Sequence, residues 1–266
     1  MVNAKKSVMC VKYFHRMTLS ERQVNILKRF SKVIDQTYTR FLDLQRAEAQ
    51  ACEAQIEMAL ERVRSRSMAM QKSDEMLALI KVVFDQLRLL GINFDHASFA
   101  KNLQEGDFTF WTTSKGQPEP VYLEVPTMDS PVLSGVYEAK KKGADFITDF
   151  FTAEENREWS QHLIKFSALK FMPEPIKKFM LNAPGFHRSS FLLKDIDFYV
   201  GSYGSEPFTD QENAIFKRFA QVFQQSYTRF LELQKAEAQS KEAQIEMALE
   251  RVRSSTMAMQ HSDELR

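Results

Sequence analysis

The apolar positions of this chain keep a helical period at both ends and alternate in between. Phe30, Ile34, Thr37, Phe41 and Leu44 follow a four-three spacing, the seam of a heptad helix. A second seam runs through Ala49, Glu53, Ile56, Leu60, Val63, Ser67 and Met70. The two seams are out of register by about one residue, and the slip falls across Gln45 to Ala49. Alanines there bury little surface, which predicts a weak point in the rod. Ser20-Glu21-Arg22-Gln23 has the form of a capping box and predicts the helix start. Met76 to Leu90 continues as an amphipathic helix, with Leu79, Ile80, Val83, Leu87 and Leu90 on one stripe and Gly91 as its cap.

Beyond Gly91 the period shortens to two. Asp95 to Lys101, Asp107 to Thr113 and Pro120 to Val125 are predicted strands, bounded by Gly, Gln and Pro. Phe108 and Phe110 alternate with Thr109 and Trp111, so the middle strand is expected to be covered on both faces. Ser130 to Lys142 reads as a helix with Pro131 in its first turn, and Asp145 to Phe151 as a strand. Thr152-Ala153-Glu154-Glu155 is a second capping box, opening a helix to about Lys170. Pro173, Pro175 and Pro184 break up the segment that follows. His187 to Lys194 and Ile196 to Tyr203 form a hairpin about Asp195. The expected fold is α+β: an antiparallel sheet of about six strands with flanking helices, plus long coiled-coil helices at both ends.

The ends are copies of each other. Phe208 to Leu265 repeats Leu19 to Met76 without a gap, with roughly two thirds of positions identical. Thr209-Asp210-Gln211-Glu212 stands where Ser20 to Gln23 stands in the first copy. Neither copy contains Pro or Gly, and strong helix formers dominate both. Each would make a rod of roughly 85 Å, too long for a globular core of this size to bury. The expected organisation is therefore 1–18, the remnant of a preceding module or a disordered start; 19–75, repeat 1; 76–207, the globular domain; and 208–266, repeat 2. Val11-Lys12-Tyr13-Phe14 falls opposite the last predicted strand, which is the ground for the preceding-module alternative. Ile56, Leu60 and Val63, like Ile245, Leu249 and Val252, are expected to find no cover on the domain. They predict a parallel homodimer through a coil of Phe41, Leu44, Ile56, Leu60, Val63 and Met70, with Phe230, Leu233, Ile245, Leu249, Val252 and Met259 in the second copy. Each such side chain contributes roughly 1.5–3 kcal/mol when buried.

Charge and composition narrow the function by exclusion. Lys and Arg number 36 against 35 Asp and Glu, which gives no support for a nucleic-acid partner or a polybasic membrane anchor. The two cysteines, Cys10 and Cys52, make a disulfide framework improbable on the spacing of the repeats, since Cys52 is Lys241 in the second copy. No apolar run approaches the roughly 20 residues of a membrane span, and the N-terminus lacks the apolar core of a secretion signal. A cytoplasmic location is expected. His261-Ser262-Asp263-Glu264-Leu265-Arg266 superficially suggests a phosphoacceptor box, but Lys72 occupies the matching position in the first copy. His96, His162 and His187 lack metal-site spacing, and no phosphate loop or nucleophile elbow stands out. No enzyme activity and no metal are expected, and the sequence leaves any cofactor unspecified.

Two motifs carry a resemblance. Glu206-Pro207-Phe208-Thr209-Asp210-Gln211-Glu212, leading into a long helix, resembles the exit of GAF domains, and the order of elements resembles the GAF fold and its PAS relatives. Ala59-Leu60-Glu61-Arg62-Val63-Arg64 with the following Ser-Met-Ala-Met resembles the signalling-helix connectors of bacterial, Bacteroidetes-type multidomain sensor kinases and transducers. The resemblance implies a sensory module in a two-component pathway, feeding parallel dimeric helices and an output domain not present in this chain. It places a ligand pocket between sheet and helices, where Trp111, Tyr122, Tyr137, Trp159 and Phe191 are the expected lining; plain core packing suits the same five. The Asn-Lys-Phe-Asp-Glu constellation of cyclic-nucleotide-binding GAF domains is missing, and neither cysteine lies in the core, as the bilin-binding branch requires. A non-sensing dimerisation scaffold and a non-catalytic fragment of a sensor histidine kinase are the alternatives.

Overall fold

The structure is a computed structural model that describes residues 2–3, 8–10, 12, 18–72, 75–101, 108–204 and 206–258. Val11, Tyr13, Phe14, Met259 and His261 lie outside the described residues, and with them the expectations placed on those positions. The chain divides into two compact units, Met1–Met58 and Ala59–Arg266.

In the first unit, β1 (Val2–Asn3) and β2 (Val8–Met9) pair antiparallel. Helix α1 (Glu21–Ala69) begins there and runs unbroken through the slip at Gln45 to Ala49. The Ser20 backbone N–H donates to Gln23 Oε1 at 2.9 Å, and the Gln23 N–H donates back to Ser20 Oγ. The capping box forms because each side chain satisfies a backbone donor left free by the first helical turn. Phe30, Ile34, Phe41 and Leu44, the first apolar seam, are exposed.

The second unit is built on a six-stranded sheet, antiparallel throughout. Its strands are β3 (His96–Lys101), β4 (Phe108–Ser114), β5 (Gln117–Val125), β6 (Phe146–Thr152), β7 (Gly185–Leu192) and β8 (Ile196–Ser202), in the order β5-β4-β3-β8-β7-β6. β3 pairs with β8, so the first and last strands of the domain lie side by side at its centre. Helices α3 (Pro131–Lys141), α4 (Ala153–Phe166) and α5 (Glu174–Leu181) cover one face. Helices α2 (Met76–Leu89) and α6 (Asp210–Ala258) cover the other. Every central strand is therefore buried on both sides, the arrangement expected from Phe108 to Trp111.

Local chemistry sets the helix starts. The Thr152 box forms as expected, with the Thr152 N–H on Glu155 Oε2 at 2.8 Å, and Thr209 with Glu212 repeats it at α6. Between Phe166 and Gly185 the chain holds more order than its prolines suggested. A 3-10 turn at Ala168–Phe171 precedes α5, which carries Pro175 in its first turn, where a missing N–H costs nothing.

The two copies meet opposite surroundings. In copy 2 the first half lies on the sheet: Phe216, Phe219 and Phe223 are fully buried, and Tyr227 and Phe230 nearly so. From Gln234 to Met257 the helix is exposed throughout, including Ile245, Leu249 and Val252. In copy 1 it is the second half that is buried, with Leu60 1 % exposed and Val63 and Met70 0 %. The expectation that Ile56, Leu60 and Val63 lack cover is thus corrected, Ile56 being only 5 % exposed as well.

The cause is a turn that no Pro or Gly announces. The Glu75 carboxylate accepts from the backbone N–H groups of Gln71 and Lys72 and pairs with Arg66 at 2.9 Å. Those bonds, the Gln71 N–H first, hold its carboxyl below the usual range. α2 then turns back along the end of α1, where Arg62 donates to Gln86 at 3.0 Å. Arg229 of α6 donates to the carbonyl oxygens of Met68 and Met70. A guanidinium at the end of α1 satisfies orphan carbonyls and opposes the negative end of the helix dipole.

Equivalent leucines should therefore differ. Leu60→Ala is expected to cost about 2–5 kcal/mol in urea unfolding, while Leu249→Ala stays within about 0.5 kcal/mol. Equal losses would contradict the two environments.

Candidate functional site

Strand alternation sends one set of side chains toward α3, α4 and α5. His96 and Ser98 of β3, Phe110 and Thr112 of β4, Arg188 of β7 and Tyr199 of β8 belong to it, and they line a cavity of about 90 Å³. Trp159 and Leu163 of α4 and Val136 of α3 close it from above. That volume holds roughly six water-sized spheres, enough for a small organic molecule rather than a lone ion.

Most of the wall is apolar, and its polar groups are few and held in place. Arg188 is 6 % exposed; its Nη2 donates to Asp149 Oδ2 at 2.8 Å, and its guanidinium lies 4.8 Å from the Phe151 ring centre and 5.4 Å from that of Tyr199. Arg188 Nε has no acceptor among the described residues. Asp197, fully buried, accepts from Lys140 Nζ at 2.6 Å and from the Tyr199 hydroxyl at 3.1 Å. Burial pushes its carboxyl up despite these two donors, and burial with the Asp197 charge pushes the Tyr199 phenol well above its ordinary range. A buried cation, Arg188, and a half-buried one, Lys140, therefore each face a carboxylate. Such pairs add little net stability, but removing one partner leaves a costly uncompensated charge.

His96 is half-buried as a residue, yet its Nδ1 is shut off from water and has no partner among the described residues. The ring stacks on Phe186 at 5.0 Å between centres. Desolvation lowers its pKa to about 4, with Arg188 adding to the effect and Asp95 opposing it, so the imidazole is neutral at pH 7. Gly201 makes this stacking possible: a Cβ there would stand 2.2 Å from His96 Cε1 and 2.4 Å from Phe186 Cε2. Ser98 Oγ donates to Thr112 Oγ1 at 2.8 Å, and that hydroxyl donates to the Ala97 carbonyl, so neither is paired with the imidazole as an activated nucleophile.

Of the five aromatic residues expected to line a pocket, Trp159 does so. Tyr137 packs against the same apolar cluster, partly buried. Trp111, Tyr122 and Phe191 are corrected to the opposite face. Trp111 sits against Tyr122 and against Tyr227 of α6, and Phe191 packs on Phe198 and Phe216. The reason is the two-residue period: with Phe110 toward the cavity, Trp111 must point away. Sequence reasoning missed Arg188, Tyr199 and Tyr203. The available signal was a charged residue between apolar neighbours at Asp197, two residues before Tyr199; Arg188, between His187 and Ser189, gave none.

The two other histidines among the described residues have structural surroundings: His162 Nε2 lies 2.7 Å from the Pro126 carbonyl and His187 packs on Phe150. Among the described residues no group of three His, Cys, Asp or Glu side chains is placed to hold a metal ion. No helix there is long and apolar enough to cross a membrane, and Cys10 and Cys52 are free and exposed.

The depressed His96 pKa makes a pH prediction. Between about 6.5 and 4 the unfolded chain takes up a proton at this residue and the folded chain does not, so stability is present above 6.5 and lost as pH falls. Wild type should lose up to about 3 kcal/mol more than His96→Asn across that interval. Urea midpoints measured against pH check it; parallel curves would contradict it.

Compared with protein-family models and with curated proteins, the chain matches none.

Proposed function

We propose that this chain is a non-enzymatic sensory module of the GAF-like kind, of the sort that serves two-component signalling in the cytoplasm. Its cavity takes a small, mainly apolar ligand carrying one hydrogen-bonding group, and its long helices carry the resulting change to an output domain. The observation that carries this reading is the division of labour across one sheet. The cavity lies on one face, and the end of α1, α2 and the first half of α6 lie on the other. A ligand that shifts β3, β4 or β8 shifts the surface on which α2 and the first half of α6 rest, and these two hold the end of α1. The unpartnered Arg188 Nε and His96 Nδ1 support a ligand with a polar end, since a buried polar atom without a partner costs about 1–3 kcal/mol. The commitment of Ser98 to Thr112 supports binding over covalent chemistry. The register slips at Gln45 to Ala49 and Gln234 to Ala238 serve in this account as the compliant points of the connectors.

The two tryptophans make a direct test, because one borders the cavity and the other the helix face. Native mass spectrometry identifies a co-purified molecule; otherwise small aromatic carboxylates serve as probes. Binding is expected to change Trp159 emission and, in Trp159→Phe, still to shift Trp111 beside Tyr227. A bound ligand that leaves Trp111 silent rejects transmission through the sheet, and the absence of any ligand supports a scaffold that only sets spacing.

A parallel homodimer is a second part of the reading, favoured by the exposed stripe of Phe30, Ile34, Phe41 and Leu44 at heptad spacing. Phe41→Asp with Leu44→Asp is expected to halve the mass seen by light scattering. An unchanged mass would remove the coil as the interface.

A further inference from the structure

The two copies carry almost the same twelve residues into opposite environments. Residues 59–70 read ALERVRSRSMAM and their counterparts 248–259 read ALERVRSSTMAM, differing only where Arg66 and Ser67 become Ser255 and Thr256. In the first copy Leu60 and Val63 are buried, Arg62 bonds Gln86 of α2, and Arg229 of α6 holds the last carbonyls. In the second copy Leu249 is 46 % exposed and Val252 63 %. The helix is the same in both; only the cover differs.

We propose that the second half of copy 2 is a docking helix for another domain built like residues 76–230 of this chain. It binds in the groove between that domain's α2 and α6, as residues 59–70 bind here. The chemistry of the partner follows from the contacts already made in copy 1. The groove must accept Leu249 and Val252 at the places of Leu60 and Val63. It must also offer an amide acceptor to Arg251, as Gln86 does to Arg62, and a guanidinium to the helix end, as Arg229 does. Ser255 forgoes only the half-exposed pair that Arg66 makes with Glu75.

A groove already filled by its own tethered helix resists competition, because tethering supplies a millimolar effective concentration. The partner therefore presents the groove unfilled, as a domain joined directly to this helix does. Because the helix face and the groove are different surfaces, the contact is head-to-tail and repeats as an array, not as a closed two-fold pair. The inference is independent of what the cavity binds.

The test is a chain in which Glu264 is joined to Met76 of a second copy of residues 76–266, followed by amide hydrogen exchange. Leu249 to Val252 should exchange about tenfold or more slower than in the single chain, reaching the class of Leu60 to Val63. Leu249→Asp with Val252→Asp in the joined chain should abolish that protection and leave Leu60 to Val63 protected. Unchanged exchange in a folded joined chain would overturn the proposal. So would protection in the single chain that grows with concentration, since that marks pairing of two copy 2 helices. If the joined chain does not fold, a labelled peptide of residues 239–257 is titrated into the full chain carrying Leu60→Asp and Val63→Asp. Binding about tenfold or more tighter than to wild type is expected; equal binding overturns the proposal.

Discussion

Phe99 on the central strand lies between Phe198 of β8, 4.6 Å away, and Phe223 of α6, 3.5 Å away, with Phe84 of α2 at 5.8 Å. This stack joins the middle of the sheet to the two helices on one face. A sheet with both faces apolar must be covered twice, and the first half of copy 2 supplies much of the second cover. Once α2 and α6 are seated there, their shared edge receives the end of α1. The seat of α6 and of the end of α1, residues 59–69, therefore depends on the same aromatic contact.

The opposite face has different requirements. Asp197, Arg188 and His96 are polar groups on a surface that is otherwise core, and each is held by a specific neighbour: Lys140 and Tyr199, Asp149, and Phe186. A purely structural face of this size would be packed more simply with apolar residues. Arg188 and His96 line the cavity, and in the proposed reading it is a place for recognition that the sheet connects to α2 and α6. Function in this account comes from the adjacency of the two faces; no single residue carries it.

Much of the fold was legible in the sequence, for identifiable reasons. Capping boxes at Ser20, Thr152 and Thr209 are local, and alternation at Phe108 to Trp111 is local, so they survive into the structure unchanged. What could not be read is non-local. The pairing of β3 with β8 joins residues about a hundred apart, and nothing in either strand names its neighbour. The side of the sheet that closes over a cavity is equally hidden, so five aromatic residues were grouped and only Trp159 lines it. The turn at Gln71 to Glu75 depends on one carboxylate accepting two backbone N–H groups, in a segment whose composition is that of a helix. Missing that turn led to the expectation that Leu60 and Val63 stand without cover.

The central claim is that one sequence, present twice, has two fates decided by what lies over it. Amide hydrogen exchange across both copies of the intact chain, at low protein concentration, tests this most directly. Slow exchange is expected at Leu60 to Met70 and at Phe219 to Phe230, with fast exchange at Phe30 to Phe41 and at Leu249 to Met257. Equal protection at equivalent positions of the two copies would contradict the account.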